Sequence, residues 1–180
     1  MRNYESKLVD SSRIIADMLV IDIGSDPERF QEMLSICLRD KYPLSMRASR
    51  IVALCTEKYP HLINDHIDLL IQSMDKIKVE GVRRGFLKIF AEQKPPLTED
   101  QTGYLTDLAF RWLGNSKEAI AVRYYCILIL LRVCENYPEL RNELVLTLRS
   151  LKEDGSPGLQ SISKQVLRKL EKSINANNNL

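Results

Sequence analysis

Hydrophobic positions along the chain recur at helical spacing, and the densest apolar stretch is Ala119–Tyr137. Between Ile120 and Cys134 the only charged side chains are Arg123 and Arg132. A surface helix keeps a polar stripe, so a helix that is apolar most of the way round must be enclosed by neighbours. The stretch is shorter than the roughly 20 apolar residues that cross a bilayer. We therefore predict a buried helix within an all-α protein.

The same periodicity, with its start and stop signals, predicts helices along the whole chain. Asp26 before Pro27 is a natural N-cap, and Thr98 with Gln101 forms a capping box. The first helix is predicted over residues 4–22 and buries Leu8, Ile15, Met18 and Leu19. The others are predicted over residues 26–40, 44–58, 60–74, 79–92, 98–114, 117–137, 138–152 and 158–173. The Asn-rich residues 174–180 lack an apolar period, which predicts a flexible tail.

An internal repeat is the sharpest signal in the sequence. An apolar residue followed by arginine opens the second helix of three predicted helix pairs, at Arg47, Arg83 and Arg123. Their spacing is about 36 to 40 residues, which is the period of a helix-pair repeat. A weaker fourth copy has Gln160 in the place of the arginine.

These features resemble the HEAT and armadillo-type helical repeats, in which a valine-arginine opens the second helix and an aspartate often precedes it. Asp40 and Asp75 stand in such turns here, and Asn115 stands in the third. The resemblance implies a right-handed αα-superhelix, or α-solenoid, of about four helix pairs over residues 26–173. Residues 1–25 would form an N-terminal capping helix, and residues 1–180 a single domain.

Composition and charge exclude several classes. The net charge is +2 and is evenly spread along the chain, unlike the concentrated basic field of a dedicated nucleic-acid binder. The four cysteines all lie in apolar helical runs, and none forms a CxxC motif. No secretory signal follows Met1. We therefore expect buried, reduced thiols in a cytoplasmic protein without a membrane partner.

Candidate catalytic chemistry is sparse, so we expect a protein that is not an enzyme. The two histidines, His61 and His66, are five residues apart on one predicted helix, which turns them about 140° apart around its axis. That spacing does not suit a shared zinc ion, and no phosphate-binding or nucleophile-elbow motif occurs. We expect no catalytic residues, no metal site and no cofactor.

Arginines near the starts of the second helices can have two roles, one structural and one in contacting a partner. The repeated Arg47, Arg83 and Arg123 are predicted to be structural, because Arg47 and Arg83 can bond the aspartates of their own turns. Side chains outside the repeat pattern are better candidates for contacts with a partner on the concave face. Those candidates are Arg50, Arg84, Lys88, Tyr124 and Arg132.

The function that this resemblance implies is a protein–protein interaction module whose concave face accepts a peptide or helix of a partner. An alternative is a HEAT-like DNA-binding protein or alkylpurine DNA glycosylase, because aromatic side chains cluster around Trp112 and Asp107 lies close by. Aromatic residues at helical spacing are more often core residues than base-stacking ones. A self-associating protein, a homodimer, is a third alternative.

Overall fold

The computed structural model describes residues 3–151 and 156–177, with side chains to residue 172. Those residues form helices and connecting turns, and no strand occurs among them. The chain divides into two compact units, Met1–Gln101 and Thr102–Leu180. The all-α prediction is therefore confirmed.

The first unit consists of helices joined by short turns. In chain order they are α1 Tyr4–Lys7, α2 Arg13–Ile23, α3 Pro27–Leu38, α4 Leu44–Lys58, a 3₁₀ segment Pro60–His66, α5 Ile67–Met74, α6 Glu80–Lys88 and a π-helical turn Ile89–Gln93. Helix α4 packs against α3, α6 and α2, so α4 lies next to both α2 and α6. Fully buried residues such as Phe30, Val52 and Phe86 belong to the core of this unit.

The second unit begins within the first turn of α7, Glu99–Gly114. It continues with α8 Ile120–Asn136, a 3₁₀ turn Pro138–Leu140, α9 Arg141–Ser150 and α10 Pro157–Asn177. Helix α10 packs against both α8 and α9. Between Ala121 and Cys134 of α8 only Tyr124 is exposed, so this helix is enclosed as its apolar sequence predicts.

Helix ends that the sequence marks with capping residues lie where they were predicted. The Asp26 carboxylate accepts hydrogen bonds from the backbone N–H groups of Glu28 and Arg29, at 3.0 and 3.2 Å. The capping box is formed in both directions, because Gln101 N donates to Thr98 Oγ1 and Thr98 N donates to Gln101 Oε1. Such caps satisfy backbone donors that a helix leaves unpaired in its first turn.

The N-terminal segment differs from its prediction, because residues 4–22 form two helices instead of one. Helix α1 ends at Lys7 and α2 begins at Arg13, where the Ser12 hydroxyl caps it by accepting from Ile15 N. The set of buried side chains in this segment also differs from the prediction. Leu8 and Leu19 are buried as expected, but Met18 is 60% exposed.

The C-terminal helix is longer than its prediction, because α10 continues to Asn177. Residues 174–177 of the predicted tail therefore have a helical backbone, and the flexibility of the tail stays a prediction. The rest of the predicted tail, residues 178–180, lies outside the described residues.

The predicted partner of Arg47 is also wrong. Asp40 accepts from the backbone N–H groups of Lys78 and Val79, at 2.7 and 2.8 Å, and so ties the turn after α3 to the turn before α6. Arg47 instead donates from Nη1 to the carbonyls of Leu8 and Val9, both at 2.8 Å, and holds the loop between α1 and α2. Both side chains bond backbone groups 38 or 39 residues away in the sequence, so their role is non-local.

Candidate functional site

A groove of about 770 Å³ is lined by side chains of α2, α4 and α6 in the first unit. We call it the α2–α4–α6 groove, after the helices that line it. Its apolar side chains are Val20 and Ile21 from α2 and Leu54 from α4. Its charged side chains are Arg13, Asp17, Glu57, Lys58 and Lys88. A narrow apolar strip between charges of both signs suits an amphipathic protein segment better than a small apolar ligand.

Two ion pairs organise the charged edges of the groove. Arg13 Nε lies 2.8 Å from Asp17 Oδ1, one helical turn along α2. Lys88 Nζ lies 3.6 Å from Glu92 Oε2. Both pairs are solvent-exposed to about a third or more of their side-chain surface, so water screens them and they contribute little to stability. They can therefore rearrange towards the charges of a partner at little cost.

Exposed apolar side chains extend the groove over the surface of α2. Ile14, Met18 and Ile21 recur at four- and three-residue spacing, so they form one stripe along the helix, and each is 60–72% exposed. The opposite side of α2 buries Ala16, Leu19, Val20 and Ile23. Helix α2 thus has two apolar stripes, and the described residues cover only one of them.

The predicted contact residues are distributed over both units. In the first unit, Arg50 and Arg84 are exposed on α4 and α6, and Lys88 lines the groove. Arg50 donates from Nη1 to the carbonyl of Ser11 at 2.5 Å. In the second unit, Tyr124 is 38% exposed on α8 with its ring edge-on to that of Tyr125, and Arg132 is half-buried.

The remaining repeat arginines donate to backbone carbonyls that end a helix or form a turn. Arg83 Nε donates to the carbonyl of Ile77 at 2.6 Å, in the turn before α6. Arg123 Nε donates to the carbonyl of Leu113 at 3.0 Å, in the last turn of α7. Arg123 is only 3% exposed. These bonds support the structural reading of the repeated arginines.

The two residues that motivated the glycosylase alternative differ in burial. Trp112 is 5% exposed and forms part of the core, and Asp107 is exposed. No group of three or more His, Cys, Asp or Glu side chains that could hold a metal occurs in the described part of the chain. No helix in that part is long and apolar enough to cross a membrane.

All four cysteines are free and buried, and their surroundings disfavour the thiolate. Burial raises the pKa of Cys55 and Cys126 from an ordinary 9.0 to about 12, and that of Cys134 to about 11. Burial also raises the pKa of Cys37 well above that ordinary value. Because the thiolate is the nucleophile, these groups are unreactive in the folded protein.

We expect thiol modification by an aromatic disulfide reagent at pH 8 to be about 100-fold or more slower in the folded protein than in urea. The raised thiol pKa values also determine the direction in which the stability of the folded protein changes with pH. Above pH 9 the unfolded chain loses thiol protons that the folded chain keeps, so stability should fall as pH rises from 9 towards 12. Rapid modification of even one thiol without urea would contradict this burial.

A family model for a HEAT repeat domain matches residues 7–170, which include most of both units. No curated protein and no solved structure matches the chain. The match confirms the resemblance carried by Arg47, Arg83 and Arg123 and by the spacing of the helix pairs. The chain therefore belongs to the HEAT repeat domain family.

Proposed function

We propose that this protein is a non-enzymatic interaction module that binds an amphipathic helix of a partner protein in the α2–α4–α6 groove. HEAT repeats commonly mediate protein–protein interaction. The observation that carries the proposal is the uncovered stripe of Ile14, Met18 and Ile21 beside a groove with charges of both signs. Contiguous exposed apolar side chains with a polar rim are typical of interaction sites.

The proposal includes the architecture that would present this groove. Four helix pairs over residues 26–173 would form a right-handed superhelix, capped by residues 1–25, with the second helices on the concave face. Arg50, Arg84, Tyr124 and Arg132 would add contacts along that face. The buried, free thiols are the state that a reducing compartment maintains, so the proposal places the protein in the cytoplasm.

The test is affinity capture from the host's lysate with the tagged protein and two variants, each with and without nuclease. Ile21→Glu places a charge on the apolar strip, and the 71% exposure of Ile21 means that folding should tolerate it. Leu146→Glu is the matched control, because Leu146 is also an exposed apolar residue (67%) but lies on α9. A partner that survives nuclease should be retained by Leu146→Glu and lost with Ile21→Glu.

Other outcomes contradict the proposal in distinct ways. A partner that both variants retain binds elsewhere. Material that leaves with nuclease supports the DNA-binding alternative, for which release of an alkylated purine from duplex DNA would be the next assay. A dimer whose population rises with protein concentration in light scattering, and which Ile21→Glu abolishes, assigns the stripe to self-association.

A further inference from the structure

The exposed face of α10 carries a second candidate surface, on the second unit. A groove of about 610 Å³ is lined by polar side chains only, and none of them is acidic. Its lining consists of Ser161, Lys164, Gln165, Arg168, Lys169 and Lys172. We call this the α10 basic groove. Its four cations exceed the net charge of +2 of the entire chain.

Three of these cations form a regular row. Lys164, Arg168 and Lys172 follow each other at four-residue intervals, so their side chains point to one side of α10 at steps of about 6 Å. Like charges at this spacing repel each other and destabilise a helix. The row therefore opposes the stability of the helix that carries it.

The acids near the groove do not neutralise this row. Glu135 lies 3.2 Å from Lys169, and Glu171 lies 2.9 Å from Arg149 on α9. Among the residues that the structure describes, Lys164, Arg168 and Lys172 make no ion pair. A repulsive row without local carboxylates is what a surface for an anionic partner requires.

We propose that the α10 basic groove binds an acidic helical segment of a protein, with carboxylates one helical turn apart. Such a helix presents its Glu or Asp side chains at the same 6 Å steps, about the rise of one four-residue interval, so three ion pairs can form together. Ser161 and Gln165, in the same groove, can hydrogen-bond the remaining carboxylate oxygens. This surface does not rest on the proposed function of the α2–α4–α6 groove.

The side chains of α10 disfavour two other anionic partners, a nucleic acid and a membrane surface. Helix α10 contains no aromatic residue on which an unpaired base could stack. Its apolar residues Leu159, Val166, Leu167 and Leu170 are buried and Ile162 is half-buried, so none of the large apolar side chains described on α10 is fully exposed for insertion into a membrane. The row itself is only about 12 Å long, which limits the number of phosphates that it can reach.

The experiment is fluorescence anisotropy with a labelled alanine-based peptide that carries glutamate at every fourth position. The same peptide with glutamine in place of glutamate is the charge control. The protein variants are Lys164→Glu/Arg168→Glu/Lys172→Glu and a matched triple, Lys41→Glu/Lys76→Glu/Lys117→Glu, which changes three exposed lysines outside α10 and the same net charge. Circular dichroism checks that each variant folds.

The wild type should bind the glutamate peptide and not the glutamine peptide, and salt should weaken the binding. The α10 variant should lose affinity by about tenfold or more, and the matched variant by less than about threefold. If charge reversal unfolds α10, the neutral Lys164→Gln/Arg168→Gln/Lys172→Gln variant should show the same loss.

Three results would overturn the proposal. One is an absence of binding by the wild type, and another is an equal loss in both triple variants, which would indicate only a general charge effect. The third is a tighter interaction with single-stranded DNA or with phosphatidylserine vesicles that displaces the peptide. That last result would assign the groove to a nucleic acid or to a membrane surface.

Discussion

Replacing Gly85 with valine is expected to lower the free energy of unfolding by about 3 kcal/mol, because this glycine lets α6 approach α4. A Cβ at Gly85 would lie 2.9 Å from Ser49 Oγ, 3.0 Å from Ser49 Cβ and 3.4 Å from the Ser49 carbonyl. Ser49 cannot move away cheaply, because its hydroxyl bonds the carbonyls of Met46 and Gly81 at 2.8 and 3.1 Å. The valine methyl groups would extend further into the same space.

Gly103 offers a matched control within α7. A Cβ at Gly103 would have no heavy atom within 4 Å beyond its immediate surroundings, so the same substitution meets open space. Gly103→Val should change stability by less than about 0.5 kcal/mol, with a small gain because valine is a better helix former than glycine. Urea denaturation followed by circular dichroism compares the two. Equal urea midpoints for the two variants would contradict the close packing of α6 against α4.

The close approach of α6 to α4 also explains why the packing of these two helices can be predicted from the sequence only in part. Gly81 and Gly85 are one helical turn apart on α6, and both would place a Cβ against α4. The sequence shows the two glycines, but glycine in a helix is otherwise only destabilising. Which neighbour requires them depends on contacts between residues more than 30 positions apart, such as Ser49 with Gly81.

Helix ends could be predicted because their causes are local. Asp26 and the pair of Thr98 and Gln101 bond backbone groups within three residues, so the sequence contains both partners. The acceptors of Arg47 could not be predicted, because Leu8 and Val9 are almost 40 residues away. The turn acid Asp40 is likewise used by the next turn along the fold.

The candidate groove was predicted incompletely for a different reason. The sequence of α2 is apolar on two sides, and periodicity alone does not show which stripe a neighbour covers. Met18 was therefore assigned to the core, although it lies on the exposed stripe with Ile14 and Ile21. The sequence does indicate this, because α2 has two apolar stripes. When the first helix of a stack has two apolar stripes, one of the two stays uncovered.

The basic row on α10 has a signature in the sequence, because Lys164, Arg168 and Lys172 keep a strict four-residue spacing. The repeat pattern does not indicate it, because the position of the repeated arginine is occupied by Gln160 in this helix. Whether a cation row is neutralised depends on the positions of Glu135 and Glu171, which only the fold provides.

Arg123 provides the second large expected effect and decides between the structural and the ligand-binding reading of a repeated arginine. Arg123→Met should lower the free energy of unfolding by about 2 to 3 kcal/mol, because methionine keeps the apolar stem but removes every donor. The Leu113 carbonyl, which now accepts from Arg123 Nε at 3.0 Å, would lose a charged donor at the end of α7.

Arg149→Met is the matched control for that substitution. Arg149 forms an ion pair with Glu171 at 2.9 Å, but its side chain is 55% exposed, so its loss should cost less than about 0.5 kcal/mol. Urea denaturation of both variants measures the difference in the free energy of unfolding. The difference is expected because only the substitution of Arg123 leaves a buried acceptor without its donor. If both variants are as stable as the wild type, Arg123 does not hold the end of α7 and the structural role of this repeated arginine is wrong.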